Sequence, residues 1–331
     1  MPESRADTKA GEIVFRHVTK RYRGRRQAAV QDLSLVIPAG EICVLVGPSG
    51  AGKTTAMKMV NRLIDVTEGE ILIDGRDVAG MDETELRRGI GYVIQQVGLF
   101  PHMTVADNVA TVPRLLGWER GRVRERVREL LELVGLDPGE DGQRYPAQLS
   151  GGQRQRVGLA RALAADPPVM LMDEPFGALD PITRARLQDE FLRLHRRIGK
   201  TVIFVTHDIN EAIKMGDRIA ILGEGGELAQ YASPEEILAH PADDFVARFV
   251  GADRALKRLA LSHVGDIELL DSSSLAPDSP TLTPETSLRD ALSLILSEDG
   301  RPLAVVENGE LLGYVSVELV TRALSGEGAA A

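Results

Sequence analysis

The chain alternates short apolar runs with longer segments in which apolar residues recur at helical spacing. The short runs are ICVLV (42–46), VMLMD (169–173) and TVIFVTHD (201–208). Runs of this kind are typical of strands buried on both faces of a parallel sheet. The segments of helical period predict helices from Lys53 to about Leu63, over most of 104–165 and over 183–199. Strands that alternate with helices in this way predict an α/β domain.

Alternation of apolar and polar residues predicts further strands over 13–46. In ILIDGRDV (71–78), Asp74-Gly75 predicts the tight turn of a hairpin. Residues 217–232 predict two more strands around a Glu-Gly-Gly turn. The next segment, 233–251, opens with the Ser-x-x-Glu pattern of a helix start, and we expect the first domain to end with it.

The chain becomes more acidic after residue 251. Residues 252–331 hold 13 acidic and 6 basic residues, a net charge of −7 in a chain whose total is −10. A polar, proline-marked stretch at 271–286 is followed by the pattern helix, strand, strand, helix, which predicts a small α+β domain. The expected domains are therefore 12–250 and 251–331.

Charge, cysteine content and the lack of long apolar runs argue against a nucleic-acid-binding, a secreted or a membrane-spanning protein. The acidic balance argues against general nucleic-acid binding, which needs a basic face. The single cysteine, Cys43, lies in an apolar run, so we expect a buried thiol in a reducing compartment. The N-terminus lacks the apolar segment of a secretory signal, and no apolar run approaches the roughly 18 residues of a membrane span. At a membrane, the protein is expected to dock on a subunit that crosses it.

The strongest chemical signal is GPSGAGKT, which matches G-x-x-x-x-G-K-[ST] between a predicted strand and a predicted helix. In that setting backbone N–H groups cradle nucleotide phosphates, Lys53 reaches the β- and γ-phosphates, and the Thr54 hydroxyl ligates Mg²⁺. The context favours nucleotide binding over a chance match. The candidate binding residues are Gly47, Pro48, Ser49, Gly50, Ala51, Gly52, Lys53, Thr54 and Thr55.

Two further apolar strands end in residues that suit phosphate chemistry. VMLMDEP supplies Asp173, a candidate Mg²⁺ ligand, and Glu174, a candidate general base for the attacking water. Without the phosphate loop, two carboxylates that cap a turn would be the plainer interpretation. His207 ends the third strand, and because neighbouring parallel strands open on one crevice, it is expected to reach a γ-phosphate. The other five histidines have the usual structural interpretation.

A second anion site is predicted at LSGGQRQRVGLARAL (149–163), where a serine and two glycines precede a basic helix. The N-terminus of a helix favours a negatively charged group. One chain thus carries two helix starts suited to phosphate, although a single nucleotide does not need both.

These motifs stand in the order found in ATP-binding cassette (ABC) ATPases, and the chain resembles that family over roughly residues 12–250. LSGGQ matches the family's signature sequence in full. The resemblance implies a P-loop NTPase fold with a parallel-sheet core, an antiparallel β subdomain and a helical subdomain. It also implies a head-to-tail dimer in which the phosphate loop of one copy and the LSGGQ segment of the other enclose each ATP. The second helix start would then serve the partner's nucleotide.

The resemblance assigns further roles by position. Tyr22 would stack on adenine, with an ordinary strand tyrosine as the alternative. Gln95 would contact Mg²⁺ and the attacking water. Gln96 is adjacent, but the spacing to Leu99-Phe100-Pro101-His102 favours Gln95.

Asp180 lies in the loop through which the two ATP sites of the family communicate, and Gly177 replaces the usual serine there. The expected catalytic residues are Glu174, His207, Lys53 and Gln95. The expected metal ligands are Thr54, Gln95 and Asp173. The residues expected to contact the partner's ATP are Ser150, Gly151, Gly152, Gln153 and Asp180.

Three longer segments resemble the ATPases of bacterial importers for quaternary-amine osmoprotectants such as glycine betaine, carnitine and choline. They are NRLIDVTEGEILIDGRDV, IGYVIQQVGLFPHMTVADNV and MDEPFGALDPITRARLQDEF. The implied function is hydrolysis of ATP, with Mg²⁺, to drive solute import at the cytoplasmic face of the inner membrane. The implied partners are a second copy of the chain, integral membrane permease subunits and, through them, a substrate-binding protein.

Other functions remain open on the sequence alone. Import of another amine or of an amino acid is the nearest alternative, because solute choice lies in other subunits. A soluble nucleotide-sensing regulator is less favoured, since sensing alone needs neither Glu174 nor His207. A cassette protein acting on nucleic acid or ribosomes would carry two cassettes or a long coiled coil. The importer-like segments weigh against an exporter.

The tail, from TLTPETSL to VELVTRAL, resembles one cystathionine-β-synthase-type (CBS) module. These modules work in pairs, so this one is expected to pair with the tail of a second subunit. Nucleotide-binding members place an aspartate three positions after a serine or threonine, but here Leu319 follows Ser316. A dimerising appendage is therefore favoured over a nucleotide site. The acidic tail disfavours a sensor of ionic strength that faces anionic lipid.

Overall fold

The computed structural model describes residues 10–94, 98–177, 179–271 and 280–325. The chain divides into two compact units, Met1–Pro234 and Glu235–Ala331. This division comes earlier than the domain boundary expected between 250 and 251, because the helices of 235–250 belong to the second compact unit. The ranges 12–250 and 251–331 remain a prediction for the functional domains.

The first unit contains two sheets. Its strands are β1 (Ile13–Lys20), β2 (Val30–Ile37), β3 (Ile42–Val46), β4 (Glu68–Ile73), β5 (Arg76–Asp77), β6 (Ile90–Val93), β7 (Val169–Asp173), β8 (Thr201–Val205), β9 (Arg218–Leu222) and β10 (Leu228–Ala232). The larger sheet has the order β10-β9-β3-β8-β7-β6, parallel except for β10 at its edge. Strands β3 and β8 are buried along their whole length, as the apolar runs predict.

The smaller sheet is antiparallel, with the order β2-β1-β4-β5. Asp74 and Gly75 join β4 to β5 with φ values of +50° and +73°. Two consecutive residues with positive φ are what a two-residue hairpin turn requires, because they match the twist of the strands. The predicted hairpin is therefore confirmed.

Seven helices of the first unit are described: α1 (Lys53–Val60), α2 (Glu83–Arg88), α3 (Val105–Leu115), α4 (Arg120–Leu133), α5 (Gly151–Leu163), α6 (Pro181–Ile198) and α7 (Ile209–Met215). Helices α3, α4 and α5 pack on one another as a helical subdomain. Helix α1 ends three residues before the predicted end because Arg62 adopts a left-handed φ of +51°. The α/β fold with an antiparallel sheet and a helical subdomain is confirmed.

One apolar core joins the two sheets. Phe15 and Leu33 of the antiparallel sheet, Leu45 and Ile203 of the parallel sheet, and Met57 of α1 are members of one buried cluster. Each such side chain contributes about 1.5–3 kcal/mol when it leaves water. This shared burial fixes α1, and with it the loop that precedes α1, against both sheets.

The second unit is a small α+β domain, as predicted. Its helices are α8 (Pro234–Ala239), α9 (Asp244–Val250), α10 (Arg254–Leu261), α11 (Leu288–Ser297) and α12 (Val317–Ser325), and its strands are β11 (Thr281–Leu282), β12 (Leu303–Glu307) and β13 (Glu310–Val315). The sheet order is β11-β12-β13, with β12 and β13 joined antiparallel through Asn308-Gly309. Leu288, Leu303 and Val320 lie in its own buried cluster. Among the described residues, no helix combines the length and the apolar run that crossing a membrane requires.

Candidate functional site

The loop between β3 and α1 is shaped by close backbone approaches. Gly52 caps α1 with φ +83°, and a Cβ at this position would lie 1.9 Å from the carbonyl oxygen of Ala29. Only glycine fits such an approach. Lys53 begins α1, and its Nζ donates hydrogen bonds of 2.8 Å to the carbonyl oxygens of Gly47 and Pro48. The ammonium group is thereby held at the loop.

Thr54 brings the loop into contact with the end of β7. Its hydroxyl donates to Oδ1 of Asp173 at 3.0 Å, although 119 residues separate the two in sequence. Mg²⁺ takes oxygen ligands and is usually bound by one or two protein groups together with substrate phosphates and water. The described residues contain no cluster of three or more His, Cys, Asp and Glu side chains that could hold a metal ion. The pair Thr54–Asp173 fits Mg²⁺ bound jointly with phosphate.

Burial favours the neutral forms of the Lys53 ammonium group and the Asp173 carboxylate. It lowers the pKa of Lys53, and the nearby carboxylates of Glu174 and Asp173 oppose that shift only in part. It also raises the pKa of Asp173, against the opposing effect of the Thr54 hydrogen bond. Desolvation therefore outweighs the mutual attraction of these groups. A phosphate and a divalent cation would supply the counter-charges that the buried ions lack.

Glu174 and His207 form the second polar pair. The Nδ1 atom of His207 lies 3.2 Å from Oε1 of Glu174. The Glu174 N–H donates to the carbonyl oxygen of Val205, and φ of Glu174 is +43°, a value uncommon outside glycine. Strain of this kind is concentrated at functional sites. Because β8 ends at Val205, the prediction that His207 ends the strand is wrong: His207 lies two residues beyond, in the following loop.

These groups surround one polar cavity of about 620 Å³. The sequence-predicted residues that line it are Tyr22, Ser49, Gly50, Gly52, Lys53, Thr54, Thr55, Glu174 and His207. Gly47, Pro48 and Ala51 belong to the loop without lining the cavity, and Asp173 reaches it through Thr54. Gln95 lies outside the described residues.

Two lining residues were missed by the sequence interpretation, Arg25 and Ala29. Arg25 follows Tyr22 by three positions, and its N–H donates to the Tyr22 carbonyl oxygen in a tight turn. The basic stretch RYRGRR could have indicated a cation here. The Tyr22 ring is 38% exposed, and Nζ of Lys20 lies 5.3 Å from its centroid. An exposed ring at the rim of the cavity is suited to stacking on a planar base.

The residues predicted to contact a partner's nucleotide line a different cavity, of about 540 Å³. They are Ser150, Gly151, Gly152, Gln153 and Asp180, and none of them lines the cavity of the phosphate loop. Ser150 caps α5: its hydroxyl accepts from the Gln153 N–H, and the Gln153 side chain accepts from the Ser150 N–H. Within one chain the two helix starts predicted to bind phosphate therefore line separate cavities.

Asp180 caps the next helix, α6. Its carboxylate accepts from the N–H of Thr183 at 3.0 Å, and hydrogen bonds from Thr183 lower its pKa. This fixes the loop before α6 beside the start of α5.

A third cavity, of about 410 Å³, is mainly apolar and lies between α4, α5 and α6. Arg156 on its wall already donates to the carbonyl oxygens of Val134 and Gly135 and to Glu190. The Arg156 guanidinium is thus already hydrogen-bonded within the wall of this cavity, whereas the phosphate loop lines the polar cavity beside Lys53.

The tail residue singled out by its spacing, Ser316, has a structural role. It is 5% exposed, and its hydroxyl accepts from the N–H of Leu319 at the start of α12. The hydroxyl is thus used as a helix cap.

Comparison with known proteins gives matches over both parts of the chain. Residues 30–177 match the family model described as ABC transporter, and residues 264–326 match the CBS domain. The osmoprotectant import ATP-binding protein OsmV of Salmonella typhimurium is 50% identical over 309 residues, which cover 92% of this chain and 78% of that protein. The choline transport ATP-binding protein OpuBA of Bacillus subtilis is 49% identical over 309 residues, covering 93% and 79%.

A solved structure of similar fold matches part of this chain. It is the ATP-binding cassette MJ0796, determined as a dimer in a post-hydrolysis state bound to ADP and Pi. The TM-score is 0.59 and the identity 37%, over 67% of this chain and 98% of that chain.

Proposed function

Since the chain belongs to the family of ATP-binding proteins of ABC transporters, we propose that it is the ATP-hydrolysing subunit of a bacterial importer for quaternary-amine osmoprotectants. Family membership makes it an ABC ATPase. What the proposal adds is the solute class, the residues that act and the partners. The solute class is supported by the relatives, whose names specify osmoprotectant import and choline transport.

One observation carries the assignment of the site: two polar pairs, Thr54–Asp173 and Glu174–His207, meet beside Lys53 around a single cavity. They come from α1, from the end of β7 and from the loop after β8. The carboxyl ends of neighbouring parallel strands are where α/β proteins bind ligands, at the crevice that the strand order creates.

In the mechanism we propose, Lys53 and the backbone N–H groups of the phosphate loop bind the β- and γ-phosphates. Tyr22 stacks on the adenine. Thr54 and Asp173 would hold Mg²⁺, and the family resemblance adds Gln95 as a third ligand. A bound Mg²⁺ would supply positive charge that offsets the charge of the phosphates.

Glu174 is the general base that takes the proton of the attacking water. A base must lie within hydrogen-bonding reach of the proton it removes, and the Glu174 carboxylate faces the cavity that holds the phosphates. His207 orients this carboxylate when Nδ1 carries the proton, and we assign its second ring nitrogen to the γ-phosphate. Loss of Glu174 would therefore spare ATP binding and remove the chemical step.

The separate cavity of Ser150 and Asp180 is supported as the contact for a partner's ATP. Backbone N–H groups at the start of α5, with the partial positive charge of the helix, suit a γ-phosphate. A second copy of the chain placed head to tail would bring these donors to the phosphate loop of its partner. Hydrolysis would then require a symmetric pair of chains.

The remaining partners are permease subunits that cross the membrane and, through them, a substrate-binding protein. We place the chain at the cytoplasmic face of the membrane, as a peripheral subunit docked on the permease. Solute choice lies in those other subunits, so this chain supplies the free energy of ATP hydrolysis and not the specificity.

The test is uptake of labelled glycine betaine into vesicles that contain the chain, its permease, its substrate-binding protein and ATP. The matched control is Glu174→Gln, which keeps the size and hydrogen-bonding capacity of the side chain but cannot act as a base. We expect ATP-dependent uptake with the natural chain and none above background with the variant.

The outcomes separate the parts of the proposal. ATP hydrolysis without uptake of glycine betaine, carnitine or choline would refute the solute class and leave the ATPase assignment intact. Other amines and amino acids would then be screened. Equal turnover by the natural chain and by Glu174→Gln would remove Glu174 from the role of base.

A further inference from the structure

Three buried polar side chains are hydrogen-bonded to one another next to the loop that carries His207. Gln188 of α6 donates from Nε2 to Oε1 of Glu211 of α7 at 2.9 Å. The two residues are only 5% and 9% exposed. The Thr206 hydroxyl is also hydrogen-bonded to Glu211, and its Oγ1 accepts from the Asp208 N–H at 3.1 Å. Two helices and one loop thus meet through three buried side chains.

Thr206 and Asp208 flank His207, so one hydroxyl clamps the backbone on both sides of the imidazole. A hydroxyl has a single proton, and donating it to Glu211 leaves the lone pairs of Oγ1 directed at the Asp208 N–H. The Thr206 N–H in turn donates to the carbonyl oxygen of Leu45 at the end of β3. The backbone that carries the His207 side chain is thereby held at Thr206 and at Asp208.

The side of α6 that carries Gln188 also contacts the loop that contains Asp180. Arg184 lies one turn before Gln188, and its Nη2 donates to the carbonyl oxygen of Leu179, beside Asp180. Residues four apart lie on one side of a helix. The Arg184 Nε is buried and has no hydrogen-bond partner in the described part of the chain. Its charge also acts on Glu211, where burial raises the pKa and Arg184 opposes that rise.

Resting on the proposed function, we propose that Glu211 is a positioning residue for ATP hydrolysis. With Gln188 and Thr206 it fixes the backbone on both sides of His207, and α6 links this clamp, through Arg184, to the loop of Asp180. Glu211 does not touch the nucleotide cavity and acts only through His207.

The test compares the steady-state ATPase parameters of the full chain with those of Glu211→Ala and Glu211→Gln. We expect Glu211→Ala to lower kcat about tenfold, which corresponds to about 1.4 kcal/mol of activation free energy. KM for ATP should change less than twofold, because Lys53 and the phosphate loop bind the nucleotide. Glu211→Gln should restore at least half of kcat, because the introduced amide can accept from Thr206 through its oxygen and donate to Gln188 once the Gln188 amide turns its own oxygen toward it.

Two further variants separate positioning from stability. Ile213→Val removes one methyl group from a buried side chain of the same helix, and should lower the melting temperature without lowering kcat. If Glu211→Ala fails to fold, Thr206→Val is measured in its place, since it removes the hydroxyl and keeps the shape. It should show the same loss of kcat at unchanged KM.

A double-mutant cycle in single-turnover hydrolysis decides whether the effect passes through His207. In the His207→Ala background, Glu211→Ala should change the rate less than twofold. A further tenfold loss of rate in the His207→Ala background, or a wild-type kcat for Glu211→Ala, would overturn the inference while leaving the ATPase assignment in place. Absence of ATPase activity in the natural chain assembled with its permease would refute the proposed function and this inference together.

Discussion

Two glycines of the phosphate loop make different demands on the structure, and alanine substitution should separate them. Gly50 and Gly52 have nearly equal φ values, +86° and +83°. A Cβ at Gly50 would meet no atom within 4 Å. A Cβ at Gly52 would lie 1.9 Å from the Ala29 carbonyl oxygen and 3.0 Å from Cγ2 of Val30.

The magnitudes follow from these contacts. A side chain in the left-handed region costs roughly 1–2 kcal/mol at either position. At Gly52 the added carbon overlaps a backbone oxygen whose residue is fixed, because the Ala29 N–H donates to the Lys20 carbonyl oxygen at 2.8 Å. Forcing the backbone apart adds about 1–3 kcal/mol. We expect Gly50→Ala to lower the free energy of unfolding by about 1–2 kcal/mol and Gly52→Ala by roughly 2–5 kcal/mol.

The assay is thermal unfolding of the nucleotide-free chain, followed by the fluorescence of Trp118. The chain has one tryptophan, and it lies in the first unit, so the signal reports on that unit alone. A difference of 2 kcal/mol between the variants corresponds to about 4–8 °C in Tm. Equal losses of Tm would show that the left-handed conformation, and not the approach to Ala29, sets the requirement for glycine. Natural stability of Gly52→Ala would refute the reasoning outright.

Three further outcomes are expected. Ser150→Arg should bind ATP with wild-type affinity in equilibrium titration but lose at least about 100-fold in kcat, because the larger side chain blocks the partner's phosphate; hydrolysis at the wild-type rate would refute an ATP site shared by two copies. Burial raises the pKa of Asp173, so the native state keeps the proton on this carboxyl to a higher pH than the unfolded chain does. The free energy of unfolding therefore falls as pH rises from the unfolded-state pKa of Asp173 through its native-state pKa. Asp173→Asn should remove this fall in stability. Without ligand, the Tm of the variant should lie a few degrees above that of the wild-type chain at pH 7 and should not exceed it at pH 4. Burial raises the pKa of the Cys43 thiol to about 12, so disulfide exchange reagents should label it at pH 8 only as fast as the chain unfolds.

The sequence predicts the parts of the site whose chemistry is local. The phosphate loop, Asp173 and Glu174 each follow an apolar strand, so a run of neighbouring letters contains both the strand and the functional group. The order of the strands was also predictable in part, because β8 was expected beside β3 and β7 and lies between them.

Long-range polar contacts were not predictable from periodicity, which reports only whether a position is buried. The Thr54–Asp173 contact spans 119 residues, and Gln188–Glu211 joins two helices. A signal for the second pair was nonetheless present. Gln188 falls three residues before Phe191 on the apolar face of α6, and a polar residue on such a face needs a buried partner.

Ends of elements depend on single backbone conformations that the pattern of residues does not contain. Helix α1 continues the apolar period as far as Leu63, yet the left-handed φ of Arg62 ends it at Val60. The positive φ of Glu174 is likewise invisible in VMLMDEP, although it helps to aim the carboxylate. Sequence therefore located the chemistry, and the structure supplied the direction of the side chains.

The two separate cavities give a physical reason why ATP binding and ATP hydrolysis should respond differently to mutation. Burial disfavours the charged forms of Lys53 and Asp173 in the nucleotide-free chain, so phosphate with its cation relieves a cost within a single chain. Nucleotide at 100 times its Kd would stabilise the native state by about 2.7 kcal/mol without any partner. The donors predicted at Ser150 line a separate cavity, and in the proposed head-to-tail pair they would reach a phosphate across the interface of two copies. Under that proposal affinity is a property of one chain and turnover a property of the pair, which is why Ser150→Arg should separate the two.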